Sequence, residues 1–246
     1  MIKRSLSGLA VFGLIGVFLY VSAQRAGVNF DFTQLWPYRT RFMMGFSLTM
    51  QIAIYSMLLS LFLGTIVVLA KRSHFLFLNQ LSRVYVEIIR GTPLLVQIIF
   101  FYYVIGTAWG FSNRLWAGVI ILSIFESAYI SEILRGGLNS IESKQTEISR
   151  SIGLSRLQTI RLVILPQLFI RTVPAIAGQF ASVIKDSSLL SMIALIELTQ
   201  VTKEITANNF NTYFVSYITL AALYLSLTFP VSLFAHYLER INRYEN

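Results

Sequence analysis

The chain has 246 residues, of which 55% are hydrophobic and only 13% are charged, and its formal net charge is +9. Soluble domains carry about 25% charged residues, so this composition and a mean hydropathy of +0.67 argue against a soluble domain. The basic residues stand in short segments between apolar runs without aromatic residues on a polar face, which does not indicate a nucleic-acid partner.

Six apolar segments predict helices that cross a membrane. A helix needs about 20 apolar residues to cross the hydrocarbon core of a bilayer, and the runs without Asp, Glu, Lys or Arg reach or approach that length. The predicted helices cover residues 6–23, 44–69, 92–110, 116–136, 173–196 and 213–236. Only a very large soluble domain could bury all of these segments, so the sequence predicts an all-α, polytopic membrane protein.

Basic residues predict the orientation, because Lys and Arg concentrate on the cytoplasmic side. With the N-terminus inside, most of the 20 basic residues fall in cytoplasmic segments. The first segment has two interpretations, since Lys3 and Arg4 before an apolar run that ends at Ala23 are also typical of a cleaved signal peptide. We favour a retained helix; cleavage would leave five helices and the same orientation for the rest.

The longest predicted cytoplasmic segment, about 137–171, contains an amphipathic and basic stretch. Apolar residues share a helix face in each of its halves, namely Ile148 and Ile152, then Leu157, Ile160 and Ile164. Gly153 between the halves suits a left-handed helix end, and Ser155 with Gln158 fits a capping box. Pro166 is expected to disturb or end the second half. The stretch is therefore predicted to form helix, turn and helix, lying either on lipid headgroups or against a partner.

Three ionisable residues fall near the middle of predicted membrane helices. Glu126 lies in the helix at 116–136, and Lys185 and Asp186 lie in the helix at 173–196. Such residues are costly in a bilayer and therefore call for an explanation. Lys185 and Asp186 point about 100° apart and cannot simply pair, so we expect Lys185 to meet Glu126. The cluster either contacts a passing substrate, or it locks helices or contacts another subunit.

Other polar residues are less informative. Thr92 and Gln97 could face a substrate path, although the sequence does not orient them. Arg90 is expected to be a snorkelling anchor or to pack against the cytoplasmic segment. Glu197 and its charged neighbours farther along the chain are expected to be solvated loop charges.

Residues 147–166 resemble the cytoplasmic EAA loop of ABC importer permeases, whose pattern is E-A-A-x(3)-G-x(9)-I-x-L-P. The spacing from Glu147 through Gly153 to Pro166 is kept, while Ile148, Ser149 and Val163 depart from the pattern. Four more segments resemble the polar amino-acid branch of that superfamily: GFSLTMQ at 45–51, RGTPLLVQ at 90–97, SAYISEILRGG at 127–137 and KDSSL at 185–189.

The resemblance implies a five-helix type I ABC importer permease core, to which the first hydrophobic segment is an addition. It divides the chain into an N-terminal helix or signal peptide with an external loop (1–43), the transmembrane domain (44–240) and a cytoplasmic tail (241–246). The implied location is a bacterial cytoplasmic (inner) membrane.

The resemblance also implies that residues 143–160 dock on a cytoplasmic ATPase and transmit its movement to an alternating-access path. The residues expected at that contact are Glu147, Ser151, Gly153, Leu154 and Ser155. Those expected along the substrate path are Glu126, Lys185, Asp186, Gln97 and Thr92. The implied partners are ATPase subunits, an external solute-binding protein, and a second permease copy or a related permease.

The chain lacks the motifs that would make it an enzyme. It has no G-x-x-x-x-G-K-[ST] phosphate loop, so ATP should be bound by a partner, and no H-E-x-x-H or G-x-S-x-G motif. Neither a metal nor a cofactor is expected, since cysteine is absent and His74 and His236 are isolated. The open alternatives are a permease for another small solute, an ATP-independent carrier or channel, and an intramembrane enzyme that uses Glu126 and Asp186. The two acids and one base mildly favour a zwitterionic or cationic substrate.

Overall fold

The computed structural model describes residues 30–141 and 143–244, together with some positions between 13 and 27. Nearly all of these residues are helical, and no strand occurs among them, in agreement with the predicted all-α class. The predicted first helix, 6–23, lies largely outside the described residues, and its described positions are helical. Its retention or cleavage stays a prediction.

Nine α-helices follow one another along residues 39–244. They are α1 (Arg39–Lys71), α2 (Leu76–Gly91), α3 (Leu94–Ile99), α4 (Arg114–Ser140), α5 (Ser143–Ser151), α6 (Arg156–Thr159), α7 (Leu165–Asp186), α8 (Leu198–Asn208) and α9 (Tyr213–Tyr244). Short 3-10 helices lie at Phe32–Tyr38, Ser187–Ile193 and Phe210–Thr212, and π-helical turns lie at Phe100–Gly106 and Ile160–Ile164.

Four stretches of the described chain are long and apolar enough to cross a membrane: Phe32–Lys71, Arg114–Ser140, Arg156–Ile193 and Phe210–Ile241. A fifth span is formed if Leu76–Gly91 and Leu94–Gly106, which meet at an angle of 109°, are counted as one broken helix. With that bent span, the predicted core of five helices is confirmed.

Helix α2 was not among the predicted membrane helices. The prediction at 92–110 covers only the second half of the bent span. The first half was not predicted because Arg83, Glu87 and Arg90 interrupt its apolar sequence. One face of α2 is nevertheless apolar and exposed. The chain turns at Pro93, whose missing N–H suits the start of α3.

The predicted helix at 173–196 is wrong at both ends. The apolar span begins at Arg156 and ends at Ile193. Pro166 does not end it; the helical chain is disturbed just before this proline, where the π turn at Ile160–Ile164 precedes α7. At the other end Ala194 adopts φ +53°, a left-handed conformation that ends the helical stretch before α8.

The packing of α1 against α4 is the most extensive contact between described helices. Ser123 Oγ donates to the Ser56 carbonyl at 3.2 Å, so the two backbones lie close together. A Cβ added at Gly64 would stand 2.8 Å from Ile130 Cγ2. Small residues allow such approaches between membrane helices. The result is that the middle of α4, including Glu126, is sealed inside the bundle.

Candidate functional site

Glu126 occupies the centre of α4 and is fully buried. Its Oε2 accepts a hydrogen bond of 2.6 Å from Gln179 Nε2 on α7. Its Oε1 is also buried and receives no hydrogen bond from an amide, a hydroxyl or a basic group of the described residues. A buried carboxylate with a free acceptor atom is costly unless a partner arrives, which makes this position a candidate binding point.

Asp186 places a second carboxyl group beside Glu126. It is the last residue of α7 and is half-buried. It lies two helical turns beyond Gln179, so both side chains project from one face of α7 toward α4. Two carboxylates at short range repel each other, and either a proton shared between them or a cation such as an ammonium group relieves that repulsion. The structure therefore brings Glu126 and Asp186 together; a role of this pair along a substrate path stays a prediction.

Lys185 does not complete this cluster. The expected ion pair between Lys185 and Glu126 is wrong: Lys185 is exposed, while the partner of Glu126 is Gln179. Counting residues gave similar depths for the three charges but not the rotation of α7 about its axis. Gln179 was not predicted because the predicted cluster contained only ionisable residues. Its amide is nevertheless a polar group in a run without charged residues.

Lys185 instead belongs to a second face of α7, which the described chain leaves uncovered. Residues of this face recur at helical spacing, and all are exposed except the half-buried Ser182: Arg171, Ala175, Gly178, Ser182 and Lys185. A Cβ at Gly178 would meet no atom within 4 Å. Lipid is a poor solvent for Lys185 and Ser182 at this depth.

Thr92 and Gln97 lie together at the bend between α2 and α3. The Nε2 atom of Gln97 donates to the Ile89 carbonyl at 2.8 Å and to Thr92 Oγ1 at 2.7 Å. Thr92 Oγ1 in turn donates to the Ile88 carbonyl at 2.8 Å. These bonds satisfy carbonyls that the break in the helix leaves free. Gln97 Oε1 is buried without a partner among the described residues, and contact of this pair with a substrate stays a prediction.

An elbow, defined here as residues 143–159, connects the membrane helices α4 and α7. Its turn has the predicted form, because Gly153 adopts φ +83°. The N–H groups of Gly153 and Leu154 donate to the carbonyls of Arg150 and Ser149, both at 3.0 Å, which closes α5. Ser155 and Gln158 form both halves of the predicted capping box at the start of α6.

The elbow presents apolar side chains outward. Ile148, Ile152 and Leu157 are 58%, 71% and 75% exposed. Ser149 and Thr159, in contrast, are buried on the inner side. Apolar side chains exposed together on a polar element mark a surface for a partner or for lipid. The predicted contact residues Glu147, Ser151, Gly153 and Ser155 lie on the exposed part of this element, and Leu154 is half-buried.

A charged cluster near the C-terminal ends of α1, α2 and α4 was also missed. Glu132 of α4 accepts hydrogen bonds from Lys71 Nζ at 2.7 Å and from Arg135 Nη2 at 2.7 Å, and Arg90 Nη1 lies 3.7 Å away. The guanidinium of Arg90 stacks over Tyr129 at 5.2 Å. Arg90 thus packs against α4, in contrast to both roles expected for it.

Glu197 is not a solvated loop charge, as had been expected, but is fully buried. Its carboxylate accepts from the N–H groups of Thr199 at 2.8 Å and Gln200 at 2.9 Å, and so caps α8. It also accepts from the Tyr224 hydroxyl at 2.7 Å, which ties α8 to α9. Its role is therefore to fix the chain after the left-handed turn at Ala194.

Four apolar spanning helices with a bent fifth, a buried polar cluster and an exposed polar elbow define a polytopic membrane protein with an apolar surface for a partner or for lipid. Residues 57–244 match the family described as binding-protein-dependent transport system inner membrane component. The chain belongs to this family.

Curated relatives cover most of the chain. A probable glutamine ABC transporter permease of Bacillus subtilis is 41% identical over 79% of this chain and 90% of its own length. The glutamine transport system permease of Escherichia coli K12 is 34% identical over 87% of this chain and 98% of its own length. An L-cystine transport system permease of Bacillus subtilis is 36% identical over 81% and 86%, respectively.

Two solved structures share the fold. An amino acid ABC transporter crystallised with histidines matches with a TM-score of 0.79 and 31% identity, over 87% of this chain and 99% of its own. The MetNI methionine ABC transporter, in an inward-facing conformation, matches with a TM-score of 0.66 over 88% and 99%, and at 17% identity it supports the fold alone.

Proposed function

We propose that this chain is the permease subunit of an ATP-driven amino-acid importer. The observation that carries the proposal is the elbow, a polar helical element that exposes Ile148 and Ile152 ahead of the apolar span Arg156–Ile193 and exposes Leu157 at the start of that span. The names of its relatives, which include glutamine and cystine permeases, support an amino acid as the substrate. The chain itself has no phosphate-binding loop, so ATP would be bound by a partner.

In this proposal, the elbow is the surface to which a cytoplasmic ATPase binds. Glu147, Ser151, Gly153, Leu154 and Ser155 would form the contact. The elbow runs from α6 through the π turn at Ile160–Ile164 directly into α7, without a break in the helical chain. A displacement of the elbow would therefore move α7 as a rigid element, together with Gln179 and Asp186.

The substrate path would follow the uncovered face of α7. Exposure of the charged Lys185 side chain to lipid would cost too much free energy. The face would therefore be directed toward a second permease subunit, across a water-filled path. Asp186 is half-buried and borders the same region. A free amino acid carries an ammonium group and a carboxylate, which the carboxyl pair of Glu126 and Asp186 and the ammonium of Lys185 could bind respectively.

The movement of α7 would open Glu126 to the path during the cycle, since Glu126 is sealed in the present conformation. Thr92 and Gln97 would contribute at the bend of the α2–α3 span, where Gln97 Oε1 offers a free acceptor. Alternation between outward and inward access would then depend on how α7 and the bend shift against α4.

The proposed assembly contains a second permease copy or a related permease, two ATPase subunits inside, and a solute-binding protein outside. It would lie in a bacterial cytoplasmic membrane, as the description of the family suggests. No covalent chemistry is assigned to this chain.

The test is uptake by proteoliposomes that contain the chain together with a candidate ATPase and a candidate solute-binding protein from the same bacterium. Radiolabelled glutamine is supplied outside, and either ATP or ADP is enclosed. Uptake that occurs with enclosed ATP but not with enclosed ADP supports the proposal. Equal uptake with ADP would contradict it in favour of a carrier or channel, and ATP-driven uptake of a different solute class would reject only the amino-acid substrate.

A further inference from the structure

A groove of about 1020 Å³ opens between the cytoplasmic ends of α1 and α4 and the start of α7. Its walls are mainly apolar and include Val68, Leu134, Leu138, Leu165 and Leu168. Val68 and Leu134 belong to apolar spans, so the groove reaches into the depth of the cytoplasmic leaflet. A soluble subunit cannot enter at that depth, whereas an acyl chain can.

A smaller cavity of about 350 Å³ continues the groove toward the cytoplasm. The two cavities share Thr146, Ile160 and Ile164 as lining residues. Arg150 and Arg156 line the smaller one, on the side of the elbow. The combined space is therefore apolar at the membrane end and basic at the cytoplasmic end.

Among the described residues, no acid compensates the charge of the basic end. Arg72 lines the large groove, and Arg150 and Arg156 line the small one; all three are exposed. In the described part of the chain none of the three has an ion pair with an acid, and no Asp or Glu lines either cavity. Lys71 next in sequence, by contrast, is neutralised by Glu132. Three arginines without an acid attract an anion.

We propose that this groove binds one anionic phospholipid of the cytoplasmic leaflet. Its phosphate would lie among Arg72, Arg150 and Arg156, and an acyl chain would lie along Leu138 and Leu168. The proposal follows from the match between the groove and the molecule: an apolar slot at membrane depth joined to a basic mouth at headgroup depth. Because Ile160 and Ile164 line both cavities, the lipid would contact the π turn that joins the elbow to α7.

The experiment is native mass spectrometry of the purified full-length chain from micelles with equimolar phosphatidylglycerol and phosphatidylcholine. The test variant is R72Q/R156Q. The control is R83Q/R161Q, which removes two exposed arginines that line neither cavity. Each arginine near an anionic surface contributes about 1 kcal/mol, so the bound phosphatidylglycerol to phosphatidylcholine ratio should fall about fivefold per residue in the test variant alone.

A second variant tests the apolar end without changing charge. Leu138→Trp places a larger side chain in the groove and should reduce retention of both lipids. Equal phosphatidylglycerol retention by wild type, R72Q/R156Q and Leu138→Trp would overturn the proposal. Unchanged lipid retention with loss of ATPase binding in R72Q/R156Q would also overturn it, and would assign the basic mouth to a protein partner.

Discussion

Gln179 of α7 donates a hydrogen bond of 2.6 Å to the fully buried carboxylate of Glu126 on α4. This bond joins the helix that continues the elbow to the helix that is sealed against α1. Any displacement of α7 must stretch or break it. A movement of the elbow would therefore first change a contact inside the bundle at this pair of residues.

Glu126→Gln should lower amino-acid uptake about 10- to 150-fold, because a hydrogen bond to a charged group contributes about 1.5–3 kcal/mol and about 1.4 kcal/mol is tenfold. The substituted amide keeps an oxygen that can accept from Gln179 and has nearly the same shape. Assembly and basal ATPase activity should therefore survive. The measurement is uptake by proteoliposomes beside ATP hydrolysis by the same sample; unchanged uptake would remove Glu126 from the path.

Gly153→Ala tests the turn of the elbow. An added Cβ meets no atom within 4 Å, so the cost comes only from φ +83°, and for a residue with a side chain this is roughly 1–2 kcal/mol. We expect weaker binding of the ATPase, by about five- to thirtyfold, with unchanged thermal stability of the membrane bundle.

Gly136→Ala is the matched control for Gly153→Ala, since a Cβ at Gly136 also meets nothing but lies within a regular helix. Affinity of the purified ATPase for each variant in detergent gives the comparison. Equal affinity of the two variants would mean that the turn does not position the contact.

Gly137→Ala should destabilise the bundle, whereas Gly136→Ala should not. A Cβ at Gly137 would lie 2.4 Å from Thr172 Cγ2 and 2.9 Å from Leu168 Cδ1, where α4 and α7 approach each other. Overpacking of this kind costs about 1–3 kcal/mol. Thermal unfolding of the two neighbouring variants in detergent measures the difference, and identical midpoints would show that the helices can separate at no cost.

Glu132→Gln should destabilise the packing between the C-terminal ends of α1, α2 and α4. It removes the charge that holds Lys71 and Arg135 at 2.7 Å and leaves three cations close together. A loss of about 1.5–3 kcal/mol is expected. The control is Glu87→Gln, the same substitution at an exposed acid for which the described chain shows no ion pair. Similar unfolding temperatures for both variants would refute a structural role for the cluster.

Local rules predicted the elbow well. Gly153, Ser155 and Gln158 act within a few residues of one another, so their turn and capping box depend little on the rest of the chain. The same reasoning found the five-helix core, because the length and polarity of a span are properties of one segment.

Properties that depend on several segments could not be predicted. Depth can be counted along a helix, but its rotation depends on packing against neighbours, and for this reason Lys185 was wrongly paired with Glu126. Helix α2 carries charges in its apolar pattern, and its bend is held by Gln97 through bonds that only the structure reveals. The partnership of Glu132 with three cations likewise spans α1, α2 and α4.

The central claim is that an ATPase binds the elbow. Cysteine crosslinking tests this contact most directly, because the chain has no cysteine of its own. Ser151→Cys places one exposed thiol on α5, and Arg83→Cys places one on α2 as the control. With a short bifunctional reagent in intact cells, Ser151→Cys should yield a crosslink to an ATP-hydrolysing subunit and Arg83→Cys should not. Failure of Ser151→Cys to capture any such subunit, while the transporter remains active, would contradict the account.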